Sequence, residues 1–108
     1  MTGTPSVPSS GCTVIRLNGG LDLAAAPELR EQLIDVLHRG TELLILDLSH
    51  VRSCDTAGLA VLIGTQRRAR LLGTEMRLLA PSSPVTQVLR STGLDRSFTV
   101  DTVNRVTV

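Results

Sequence analysis

An acid followed by a hydroxyl, Asp55–Thr56, stands where one apolar run gives way to another, and small residues, Ala57 and Gly58, come next. An Asp at such a junction caps a helix by accepting hydrogen bonds from the free backbone N–H groups of its first turn. Thr56 then falls at or near the first helical position. A phosphate there would meet unpaired N–H groups and the positive end of the helix dipole. The fold would tolerate about two added negative charges at that point, whereas a partner packed over it would have to bury them. Gly58 lets another backbone approach closely. Ser53, Asp55, Thr56, Ala57 and Gly58 are therefore the candidate docking residues, with Thr56 the candidate phosphorylation site. Asp55 and Thr56 also read as a plain helix cap, and the two roles are compatible.

Other chemistries find little to work with. All eleven basic residues are arginine. Without lysine the chain has no phosphate-loop lysine, no Schiff-base lysine and no lysine-assisted phosphoryl transfer. The run "LLILDLS" imitates the central strand of a phosphoaspartate receiver, with Asp47 as its acid. A receiver also needs an acidic pair after the first strand and a lysine after the last, and neither is present. No Gly-x-Ser-x-Gly elbow anchors a serine nucleophile. His38 and His50 are the only imidazoles, and with no cysteine cluster they make a poor zinc site. Cys12 and Cys54 read as small reduced thiols. The expectation is a non-enzymatic domain without cofactor or metal.

The elements that must position the Asp55–Thr56 junction follow from pattern. At 108 residues, 42% of them hydrophobic, the chain suffices for one core, and Phe98 as sole aromatic makes that core aliphatic. A net charge of +1 and the lack of stacking aromatics argue against nucleic-acid binding. No basic region followed by an apolar run opens the chain, and no apolar stretch reaches the roughly 20 residues of a spanning helix. A cytoplasmic domain without membrane insertion, monomeric or weakly dimeric, is expected. Residues 1–11, rich in Pro, Ser, Thr and Gly, read as a disordered lead-in to a domain over 12–108. "CTVIRL" reads as a strand, Asn18–Gly19–Gly20 as a turn, and "PELREQLIDVLHRG" as a helix with Leu29, Leu33, Ile34 and Leu37 on its inner stripe. "ELLILDLS" reads as a strand covered on both faces. Thr56 to about Leu72 forms the second helix, "EMRLLAP" a strand, "SPVTQVLRSTGL" a third helix and "SFTV" a last short strand; "DTVNRVTV" fits neither pattern. Arg67, Arg68 and Arg70 crowd the end of the second helix, as a solvated face or as the border of a partner surface. The alternation predicts an α/β domain, a mainly parallel or mixed sheet of four to five strands with helices packed against it.

The stretch "DLSHVRSCDTAGLAVLIGTQRRARLLGTEMRLLAPSSPVTQVLRSTGL", preceded by "NGGLDLAAAPELREQL", resembles the STAS domain of bacterial anti-sigma factor antagonists. That family places Asp-Ser-(Ser/Thr/Ala)-Gly-Leu at a helix start after a strand ending in Asp-Leu-Ser. The resemblance runs from about Thr13 to Asp101 and implies a partner switch. The unphosphorylated antagonist binds an anti-sigma factor, usually a serine kinase, and frees a sigma factor. Phosphorylation of the hydroxyl after the motif Asp, here Thr56, ends the interaction. Asp22, in the Gly-Leu-Asp segment, matches an acid that helps partner contact. Here the acceptor is Thr rather than the more usual Ser, and Ala57 follows it. An Asp-Thr-(Ala/Ser)-Gly-Leu segment also occurs in relatives from lipid-transport complexes. The resemblance therefore carries an alternative: an accessory STAS subunit that binds the ATPase of a bacterial ABC transporter.

Overall fold

The apolar run that begins at Leu43 becomes the middle of a sheet, and its period-2 alternation divides it between two faces. Leu44, Leu46 and Leu48 enter the main core, while Ile45 joins Cys12 and Leu79 in a smaller cluster on the opposite face. A computed structural model describes the backbone of residues 3–9 and the whole of residues 11–102. In chain order the elements are β1 (Gly3–Ser9), β2 (Cys12–Leu21), α1 (Ala26–His38), β3 (Leu43–Cys54), α2 (Thr56–Leu71), β4 (Glu75–Leu79), α3 (Ser83–Ser91), a 3-10 turn (Leu94–Arg96) and β5 (Thr99–Asp101). The five strands lie side by side in sequence order. β1 runs antiparallel to β2, and all other neighbours are parallel, each pair joined through a helix. The α/β class and the mixed sheet agree with the sequence pattern.

The main core is built from that sheet face and the inner stripes of the three helices. Leu29, Leu33, Val36 and Leu37 of α1, Leu59, Val61 and Leu62 of α2, and Val85 and Leu89 of α3 all belong to it, whereas Ile34, expected on the inner stripe of α1, is half-buried and lies outside it. Each helix is followed, two residues on, by a glycine at positive φ: Gly40, Gly73 and Gly93. α1 opens with Pro27 in its first turn, and a first-turn acid, Glu28, and a last-turn His38 complement its dipole.

Three expectations are corrected. Gly3–Ser9, read as part of a disordered lead-in, pairs with β2. Two prolines suit that edge position, because the outer side of an edge strand needs no N–H donor. Asn18–Gly20 is not a turn but the last third of β2, where the pairing with β3 slips at Arg16/Asn18 and again at Gly19/Gly20. An irregular ladder lets a turn-like tripeptide stay in a strand. Because those residues keep pairing, β3 runs five residues past Ser49, to Cys54. Residues 103–108 lie outside the described residues, so the "DTVNRVTV" segment is described only at Asp101 and Thr102.

Candidate functional site

β2 and β3 end side by side, with Leu21 paired to Cys54, so the chain leaves both strands at one edge and enters α1 and α2 there. Asp55 and Asp22 each organise one of these exits. Asp55, in extended conformation, is the N-cap of α2. Its Oδ1 accepts from the N–H groups of Ala57 at 2.9 Å and Gly58 at 3.0 Å. Its Oδ2 accepts from the N–H of Leu23 at 3.2 Å, so one carboxylate caps α2 and pins the β2–α1 loop against it. Asp22 Oδ1 accepts from the N–H of Ala25 at 3.0 Å, folding that loop toward α1.

Thr56 is the first residue of α2 and is exposed. Among the described residues its hydroxyl has no hydrogen-bond partner. The N–H groups of Ala57 and Gly58, expected to await a phosphate, are already held by Asp55. A phosphate on Thr56 would share them with a carboxylate, and the dipole's attraction would be set against that like charge.

Gly58 faces inward. A Cβ there would sit 1.9 Å from the Leu21 carbonyl oxygen, so the backbone that approaches Gly58 is the protein's own. The glycine is buried and serves the docking of α2 on β2 rather than an outer surface. Gly20 plays a related part, since a Cβ on it would lie 2.3 Å from Asp22 Oδ2 and 3.0 Å from Ser53 Oγ. Asp22 and Ser53 thus converge over Gly20, beside the Asp55 cap. Ala57 is half-buried, and Ser53 is exposed. The structure therefore brings Asp22, Ser53, Asp55, Thr56 and Ala57 to one edge and places Gly58 beneath them.

One surface residue escaped the sequence pattern. Leu23 is 73% exposed, and its own N–H is the one bonded to Asp55. In the sequence the triplet Leu21–Asp22–Leu23 reads as extended chain resuming after the Asn18–Gly20 turn. Nothing local distinguishes the buried leucine from the exposed one.

The neighbouring groups do not assemble a nucleophile. Burial, and then the Asp55 carboxylate, push the Cys54 thiol up to about 11, so it stays protonated at neutral pH. Asp47, Ser49 and His50 of β3 supply the three side-chain types of a hydrolytic triad in another order. Ser49 donates its proton to Asp47 Oδ1 at 2.7 Å while its oxygen lies 3.0 Å from His50 Nδ1. In a working triad the imidazole stands between acid and hydroxyl and takes the proton; here the acid holds it. Burial pushes the Asp47 carboxyl up, but the Ser49 hydroxyl, the Ser49 N–H and Arg16 outweigh it and hold it below the ordinary value. Among the described residues no group of three or more His, Cys, Asp or Glu side chains is placed to hold a metal ion, and no helix is long and apolar enough to cross a membrane.

The family model for the STAS domain matches residues 5–106. The chain belongs to the STAS domain family. Among similar STAS proteins, the anti-sigma-B factor antagonist of Staphylococcus aureus is 29% identical over 80 residues, which are 74% of this chain and 74% of that protein. The crystal structure of an anti-sigma factor antagonist from Mycobacterium paratuberculosis shares the fold with a TM-score of 0.84 at 23% identity, over 95% of this chain and 86% of that one. A sulfate transporter family protein from Wolinella succinogenes shares it with a TM-score of 0.77 at 22% identity, over 92% of this chain and 83% of that one.

Proposed function

We propose that this STAS domain is an anti-sigma factor antagonist that works as a phosphorylation-sensitive binding switch. In its unmodified form it binds an anti-sigma factor with serine/threonine kinase activity in the bacterial cytoplasm and so releases a sigma factor. The kinase transfers the γ-phosphoryl group of ATP to the Thr56 hydroxyl, and the modified domain is released. The observation that carries this reading is the exposed, unpartnered hydroxyl of Thr56 on the first residue of a helix whose cap is already filled by Asp55. Charge added there leaves the buried contacts of α2 in place and changes only what the surface can meet. Asp22, Leu23, Ser53, Asp55, Thr56 and Ala57 form the docking surface. Gly58 supports it from below.

A second reading has one feature in its favour. The run Asp55–Thr56–Ala57–Gly58–Leu59 resembles the Asp-Thr-(Ala/Ser)-Gly-Leu segment of STAS relatives in lipid-transport complexes, a resemblance that implies a transporter ATPase as partner. Affinity capture from the native host, with wild type, Thr56→Ala and Thr56→Glu as baits, separates the two. A histidine-kinase-like ATPase held by wild type and Thr56→Ala but lost with Thr56→Glu supports the antagonist. A transporter ATPase held whatever the charge at Thr56 supports the transporter subunit. Equal capture by all three baits of a kinase-like prey would rule out the switch.

A further inference from the structure

α1 and α2 pack side by side, and a groove of about 200 Å³ lies between them, lined by Arg30 and Ile34 from α1 and by Ala60, Gly64, Thr65 and Arg68 from α2. Its walls and floor differ in character. Arg30 and Arg68 are both exposed, and neither forms an ion pair with a described residue, unlike Arg16, Arg39 and Arg77. The residues of α2 include no acid that could neutralise Arg68 from within the helix. Thr65 turns its hydroxyl back onto the Val61 carbonyl at 2.7 Å, which leaves the floor small and self-satisfied.

Gly64 is the residue that the chain's own packing does not explain. A Cβ built there meets nothing within 4 Å, in contrast to Gly58, where the Leu21 backbone forbids one. Glycine inside a helix is destabilising relative to alanine, so an open glycine at this position weakens α2 with no internal return. It does keep the groove open. Ala60 and Gly64 stand one and two turns below Thr56 on the same face of α2. The groove thus continues the surface that begins at the candidate acceptor. It is also smaller than the roughly 300–1,000 Å³ of a small-molecule site, which favours a protein side chain as its occupant.

We propose that this groove is the second half of the partner footprint and receives an acidic segment of the anti-sigma factor. One carboxylate of that segment enters between the guanidinium groups of Arg30 and Arg68, and a small apolar neighbour packs on Ala60 and Gly64. Both arginines line the groove, and their planar guanidinium donors match a carboxylate in bidentate geometry. The inference rests on the antagonist reading above.

The test is a titration of the host's histidine-kinase-like anti-sigma factor, purified, with wild type, Gly64→Leu, Arg30→Glu/Arg68→Glu and Thr56→Glu. Gly64→Leu fills the groove while improving the helix, so its Tm should rise by about 4 °C or more as its affinity falls at least about tenfold. The double charge reversal should lose a similar factor, and wild-type affinity should fall with added salt. If Gly64→Leu and the charge reversal bind as wild type does while Thr56→Glu fails to bind, the groove proposal is overturned and the switch stands. If wild type itself does not bind the kinase, both fall.

Discussion

Asp55 joins three backbone donors from two segments, and this sets the division of labour between it and its neighbour. Removing the carboxylate leaves the N–H groups of Ala57, Gly58 and Leu23 to water and unties the β2–α1 loop from α2. Asp55→Ala should therefore lower stability by about 1–2 kcal/mol, the upper part of the range for an N-cap, as read by urea denaturation. Thr56→Glu should lie within about 0.5 kcal/mol of wild type, as an exposed substitution does, because attraction to the helix dipole and repulsion by Asp55 oppose each other. If the two variants exchanged these values, the hydroxyl rather than the carboxylate would be structural. The division was legible in part. An Asp before a small, apolar helix start announces a cap, but the tie to Leu23 spans 32 residues and has no local signature.

At the scale of elements, the site depends on how closely α2 approaches the end of β2. Gly58 permits that approach, and a methyl group there would meet the Leu21 carbonyl at 1.9 Å, a backbone atom that cannot rotate away. Gly58→Ala should cost about 3 kcal/mol, the upper end for overpacking, while Gly64→Ala on the same helix should stabilise by up to about 1 kcal/mol; paired thermal melts would read the contrast. The helices themselves were plain in the sequence, because stripes such as Leu29, Leu33 and Leu37 and the stop glycines are local. The strand ends were not. Asn18–Gly20 has turn chemistry, and only pairing with His50, Val51 and Ser53 keeps it extended. The same partnership carries β3 past Ser49, so a reading confined to neighbours along the chain stopped both strands early. Gly3–Ser9 was missed for the same reason: its composition suits a tail, and β2 makes it a strand.

On the scale of the whole molecule, the sheet gathers the candidate docking residues at one end and fastens its opposite face with side-chain ties. Arg16 bridges to Asp47 at 3.3 Å between β2 and β3, and Arg77 reaches Asp101 at 3.3 Å between β4 and β5. Asp47 titrates below its ordinary value of 3.8. The unfolded chain thus takes up that proton first, so the stability Asp47 contributes is present above 3.8 and is lost as pH falls through its lowered value. Most of it comes from the two Ser49 bonds, because the Arg16 partner is solvent-exposed and screened. Wild type should exceed Asp47→Asn in stability near pH 6, and the gap should close in acid; a gap independent of pH would mean that the carboxylate is not the source.

The central claim is that one hydroxyl, free on the surface of a helix start capped by Asp55, decides whether a partner can dock. The most direct measurement is the affinity of the domain for the purified anti-sigma kinase before and after incubation of the pair with ATP, with the modified residue mapped by mass spectrometry. Phosphate on Thr56, an unchanged Tm and a loss of affinity of at least about a hundredfold, or roughly 2.7 kcal/mol, are the predicted results. A domain that stays unmodified at Thr56, or that carries phosphate there and binds as tightly as before, would contradict the account.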